Sequence, residues 1–116
     1  MAKTILVIDD DPMVVKYLVN LFNDNGYDTV TAGSAKEGLE ALKKGKPDLM
    51  TLDLEMPEGW GSQFYRQISK DETLKDIPVI VISGMAGRHA IKKAIAYVAK
   101  PFDPDKLIAI VKKAIG

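Results

Sequence analysis

Two short aliphatic runs, Ile5-Leu6-Val7-Ile8 and Leu49-Met50-Thr51-Leu52, each end on an aspartate, and helical patterns separate them. Near-continuous runs, as opposed to alternating ones, suit strands covered on both faces, which is the situation in a parallel sheet. Such a sheet gathers the carboxyl ends of its strands along one edge, where α/β proteins build their sites. Asp9-Asp10-Asp11 after the first run and Asp53 after the second are therefore expected to meet. Carboxylates brought together repel one another unless a cation sits among them or some are protonated. Oxygen-only ligands suit Mg²⁺ better than a soft metal. The first expectation is an acidic pocket that holds a cation.

The rest of the chain supports the alternation of strand and helix. After the strand Thr4 to Ile8, Asp11-Pro12 reads as a helix start, with Asp11 as N-cap and Pro12 at the first helical position. Val14, Tyr17, Leu18, Leu21 and Phe22 recur at helical spacing until Asn25-Gly26 ends the helix. A second strand spans Tyr27 to Ala32, and Ser34 with Glu37 forms a capping box that opens a helix closed by Gly45. Leu49 to Leu54 is the third strand, and Ser62 to about Lys70 the third helix. Pro78 to Ile82 is the fourth strand, Arg88 to Ala94 a shortened fourth helix, and Tyr97 to Ala99 the fifth strand. Asp103-Pro104 repeats the first cap signature, and Leu107, Ile108, Val111 and Ile115 give the last helix its apolar face. Right-handed crossovers make a doubly wound, five-stranded parallel sheet the simplest topology.

At 116 residues the chain is one domain, 1–116, with 47% hydrophobic and 28% charged residues. Sixteen basic residues balance sixteen acidic ones, which argues against a direct nucleic-acid partner. The absence of cysteine excludes disulfides and thiolate chemistry. No apolar stretch is long enough for a membrane, and Asp9 interrupts the first hydrophobic segment too early for a signal peptide. A cytoplasmic location is expected. His89, the single histidine, is expected on an exposed helix face with nothing to activate it.

The strand ends collect Asp9 and Asp10, then Asp53, then Ser83, then Lys100. Four segments that carry these residues occur in a known order. They are Ile5-Leu6-Val7-Ile8-Asp9-Asp10-Asp11-Pro12; Pro47-Asp48-Leu49-Met50-Thr51-Leu52-Asp53-Leu54-Glu55-Met56-Pro57 with Gly61; Pro78-Val79-Ile80-Val81-Ile82-Ser83-Gly84; and Tyr97-Val98-Ala99-Lys100-Pro101-Phe102. Along nearly its whole length the chain resembles a response-regulator receiver domain of two-component signalling, of the single-domain chemotaxis-regulator kind. The resemblance implies a flavodoxin-like fold with strand order 2-1-3-4-5. It implies that Asp53 is the phosphoacceptor and that Ser83 and Lys100 are the hydroxyl and lysine of the phosphoryl site. Asp9, Asp10, Asp53 and the backbone carbonyl of Glu55 become the Mg²⁺ ligands, and Tyr97 joins Ser83 as the switch. The donor is expected to be a sensor histidine kinase or phosphotransfer protein, and the output a downstream protein partner. The chain is then a phosphoacceptor rather than a classical enzyme, a monomer or a weak phosphorylation-dependent dimer.

The chemistry of these residue types is consistent with those roles. A carboxylate can accept a phosphoryl group when the donor lies in line and the charge is neutralised. A lysine pairs with a phosphoryl oxygen as a point charge, and a hydroxyl donates to another. From Ser83 to Lys100 the chain is several residues shorter than the family's usual spacing, so the fourth helix should span only about two turns and the segment from Gly84 to Ala96 should be the least stable part. Three other readings stand beside this one. Asp9-x-Asp11 after a strand also opens the aspartate-nucleophile phosphohydrolases, with Asp9 as nucleophile. A flavodoxin-type flavin carrier would share the fold, although three aspartates after the first strand would repel a flavin phosphate. A receiver-like scaffold could bind partners with no phosphorylation at all.

Overall fold

The architecture is that of a computed structural model, which describes residues 2–53, 60–83, 94–100 and 102–116. In chain order the elements are β1 (Thr4–Ile8), α1 (Pro12–Asp24), β2 (Asp28–Ala32), α2 (Ala35–Lys44), β3 (Leu49–Leu52), α3 (Trp60–Ser69), β4 (Val79–Ser83), β5 (Ala96–Ala99) and α4 (Pro104–Ile115). The strands form one parallel sheet in the order β2-β1-β3-β4-β5. That is the doubly wound order expected above.

Strand alternation sends side chains to two cores. On one side Leu6, Ile8, Met50, Leu52, Val79 and Val81 pack with Leu42, Phe64 and Ile68. On the other, Ile5, Val7, Leu49, Ile80 and Ile82 meet Leu18 and Phe22 of α1 and Leu107 and Val111 of α4. Each such fully buried side chain is worth about 1.5–3 kcal/mol of transfer free energy, which makes the central strands the most firmly held part. The close approach of α2 requires a glycine. A Cβ at Gly38 would stand 2.9 Å from Cε1 of Phe64 and 3.3 Å from Cδ1 of Ile8.

The expected caps form. Asp11 accepts the Met13 N–H at 2.9 Å, and Asp103 accepts that of Asp105 at 2.9 Å. Ser34 Oγ accepts from the Glu37 N–H at 3.1 Å, while a Glu37 carboxylate oxygen accepts from Gly33 N–H at 3.3 Å. Gly26 follows α1 at φ +89°, the left-handed turn that favours glycine.

Several boundaries differ from the sequence reading. Tyr27 precedes β2 because its N–H closes onto the Phe22 carbonyl at 3.0 Å, as part of the α1 terminus. β3 ends at Leu52, so Asp53 stands just beyond the strand. α3 begins at Trp60 rather than Ser62. β4 starts at Val79, since Pro78 has no N–H to give the ladder, though its carbonyl accepts from Met50 at 3.0 Å. Pairing with β4 begins early: the Ile95 N–H reaches the Val79 carbonyl at 2.9 Å and β5 opens at Ala96. Ala94, read as the last residue of a short helix, is not helical; the rest of that predicted helix, Arg88 to 93, lies outside the described residues. The loop residues Glu55, Met56, Pro57 and Gly59 lie outside them too.

Candidate functional site

Parallel register brings the acidic strand ends together. Ile8 pairs with Leu52, so the next residues, Asp9 and Asp53, stand side by side at the carboxyl edge. Asp53 donates its N–H to the Ile8 carbonyl at 3.0 Å, and Asp9 donates its own to Ala32 at 3.1 Å. Both side chains are nearly enclosed, Asp9 at 2% and Asp53 at 3% exposure, whereas Asp10 faces solvent. One carboxylate oxygen from each of Asp9, Asp10 and Asp53 lies within 4.8 Å of the others.

Lys100 reaches this cluster from the far side of the chain. Its Nζ stands 3.3 Å from Oδ2 of Asp9 and 3.7 Å from Oδ1 of Asp53, with 22% of the lysine side chain exposed. The other oxygen of Asp9, Oδ1, accepts the Asp11 N–H at 2.9 Å. Asp9 is thus engaged through both oxygens, one by the backbone and one by the lysine. Burying two carboxylates is tolerable only with compensating charge and hydrogen bonds, and Lys100 supplies part of it.

The donor set fits a hard divalent cation. All three groups offer carboxylate oxygen, the ligand type that Mg²⁺ prefers, and their spread is one that a single small ion spans with little side-chain movement. Glu55, the fourth expected ligand through its carbonyl, lies outside the described residues.

The remaining predicted residues fall on two strands. Ser83 ends β4, where its backbone is in register with Ala99 of β5. Tyr97 sits in β5 opposite Val81, on the side of the sheet away from Val98 and Ala96, and is 37% exposed. Tyr65 of α3 packs against the same core, and its phenol is pushed up from its usual acidity, first by burial and then by the neighbouring Tyr97 phenol. Sequence reasoning did not foresee that neighbour, because nothing in helical periodicity says which residue of a distant strand Tyr65 will meet. It also passed over Thr51. A threonine inside a β-branched and aliphatic run reads as strand propensity, yet this hydroxyl is fully buried without a hydrogen-bond partner.

Comparison with known proteins agrees with the geometry. The family model described as "Response regulator receiver domain" matches residues 5–112. Protein Rrf1 of Nitratidesulfovibrio vulgaris is 34% identical over 117 residues, covering 100% of this chain and 85% of that protein. The polar-differentiation response regulator DivK of Brucella ovis is 27% identical over 121 residues, covering 100% of this chain and 98% of DivK. A crystal structure of a CheY-like receiver domain protein from Methanospirillum hungatei superposes with a TM-score of 0.87 at 24% identity, over 99% of this chain and 94% of that one, a likeness of fold. With five parallel strands in the order 2-1-3-4-5 and an acidic, lysine-bearing edge, the chain belongs to the response regulator receiver domain family of two-component signalling.

Proposed function

We propose that Asp53 accepts a phosphoryl group and that the resulting acyl phosphate switches the surface around β5. The observation that carries this reading is the convergence of Asp53 with Asp9, Asp10 and Lys100 at one sheet edge. A carboxylate oxygen of Asp53 attacks phosphorus in line, and the bond to the donor's leaving group breaks with its electron pair departing on that group. The donor is a sensor histidine kinase, a phosphotransfer protein or a small acyl phosphate. Mg²⁺, held by Asp9, Asp10, Asp53 and the Glu55 carbonyl, would neutralise charge that builds on the transferring oxygens. Lys100 pairs with one phosphoryl oxygen, and the Ser83 hydroxyl donates to another.

Asp9 is better suited to holding than to attacking, because Asp11 N–H and Lys100 already occupy its two oxygens. That counts against a phosphohydrolase built on Asp9. The added phosphoryl charge, up to about two units, competes for Lys100 and draws it away from Asp9. Ser83 and Lys100 move inward, Tyr97 follows, and a downstream protein reads the altered face. Among the described residues no helix is long and apolar enough to cross a membrane. We place this signalling in the cytoplasm, with the protein a monomer or weak phosphorylation-dependent dimer. Intact-mass measurement after incubation with acetyl phosphate and Mg²⁺ tests the proposal. One phosphoryl group should appear on the wild type and none on Asp53→Asn; full labelling of that variant would refute the assignment.

A further inference from the structure

Among the described residues, two buried side-chain oxygens lack a hydrogen-bond partner, Tyr27 Oη and Thr51 Oγ1, and of these Thr51 lies beside the site. It is 1% exposed, and its Oγ1 has no hydrogen-bond partner. It stands two residues before Asp53 and therefore points to the same side of the sheet. Its register neighbours are Val7 on β1 and Ile80 on β4, both in the core beneath α1 and α4. Val7, Thr51 and Ile80 thus form a row directly below Asp9 and Asp53. Valine, of nearly the same shape, would fill this place without burying an unpaired hydroxyl, so packing alone gives no reason for the oxygen.

The row above offers the acceptors. Each carboxylate has about four acceptor sites, and Asp9 and Asp53 share Lys100 at 3.3 and 3.7 Å. We infer that Thr51 is a positioning residue for Asp53: its hydroxyl donates, through one ordered water at the border between core and pocket, to the acceptor carboxylate and fixes that carboxylate's rotamer. Two residues along a parallel strand separate the Cα atoms by about 6.6 Å, too far for the side chains to bond directly with ease but within the span of one water. The inference rests on the reading of Asp53 as phosphoacceptor.

The test compares wild type with Thr51→Val, Thr51→Ser and Thr51→Ala as full chains. Three quantities are read: melting temperature, Mg²⁺ affinity from the metal-dependent melting shift, and the rate of acetyl-phosphate labelling at saturating donor and Mg²⁺. The valine variant should melt at or above the wild-type temperature, yet label about tenfold more slowly and bind Mg²⁺ more weakly. Serine should restore most of the rate, and alanine should not. The serine and alanine pair decides the matter if valine disturbs the core, because those two differ by the hydroxyl alone. Valine labelling at the wild-type rate, or serine and alanine behaving alike, overturns the inference. A wild type that takes no phosphate refutes the acceptor reading instead, and the Mg²⁺ affinities then judge Thr51 by the same ordering.

Discussion

β3 and β5 both deliver a charged residue to the same pocket, but they are built differently. Every residue of β3 is buried between two cores, and the strand hands over to Asp53 at 3% exposure. β5 is an edge strand whose residues alternate between half-buried and exposed, and it leads to Lys100, which keeps 22% exposure. A strand held on both faces fixes its terminal carboxylate to within a rotamer. An edge strand with one open side can shift at small cost. Under the proposed function, the fixed strand end accepts the phosphoryl group and the yielding strand responds to it.

Core truncation should expose that contrast most strongly. Leu52→Ala, in β3, should cost about 2–5 kcal/mol, whereas Val98→Ala, half-buried in β5, should cost about 1 kcal/mol. Denaturant midpoints with unchanged slope measure both. Equal losses would erase the distinction between the strands.

Next in size is the effect of cation on the fixed end. Mg²⁺ should stabilise the protein by up to about 2.7 kcal/mol at a hundred times its dissociation constant, since it relieves repulsion among Asp9, Asp10 and Asp53. Asp10→Asn should raise the metal-free melting temperature and remove most of the Mg²⁺ shift. Melting that is indifferent to millimolar Mg²⁺ in the wild type speaks against a metal site there.

A smaller effect is expected at the edge strand. Lys100→Ala should still take up phosphate but lose much of the conformational change around Tyr97, because the lysine's differential contact arises with the phosphoryl group. Near-ultraviolet circular dichroism of the tyrosines, before and after labelling, reads this directly. Equal spectral changes in variant and wild type would remove Lys100 from the coupling.

The smallest effect belongs to a carboxylate outside the pocket and serves as a reference. Asp71 accepts the Thr73 hydroxyl at 2.6 Å and its N–H at 2.8 Å, and these bonds hold its carboxyl below the ordinary value of 3.8. With the folded value depressed, the contribution is present above 3.8 and fades as pH falls through the folded value. Thr73→Ala should flatten that part of the stability profile slightly. A profile that is unchanged in the acid range would deny the Thr73 hydroxyl any role.

Much of this could be read from the residues because the rules involved are local. Near-continuous apolar runs marked β1 and β3, the Asp-Pro pairs marked two helix starts, and parallel topology then placed Asp9, Asp10 and Asp53 together. What escaped the sequence depends on contacts between distant segments. The early start of β5 follows from the Ile95 N–H pairing with Val79, and the glycine at 38 from the ring of Phe64. Tyr17, placed by periodicity on the apolar face of α1, is instead half-exposed with its ring edge-on to Phe102 at 5.6 Å, because that face outruns the core near the pocket mouth. Thr51 was hidden for the opposite reason: its neighbours made it look like one more strand former.

The proposed seat of the phosphate is Asp53, just beyond the end of the fixed strand. Labelling with acetyl phosphate and Mg²⁺, borohydride reduction of the acyl phosphate to homoserine, and peptide mapping test it most directly. If Asp53 carries the phosphate, homoserine replaces it and Asp9, Asp10 and Asp11 stay intact. Homoserine at Asp9 would contradict it and place the chemistry on β1.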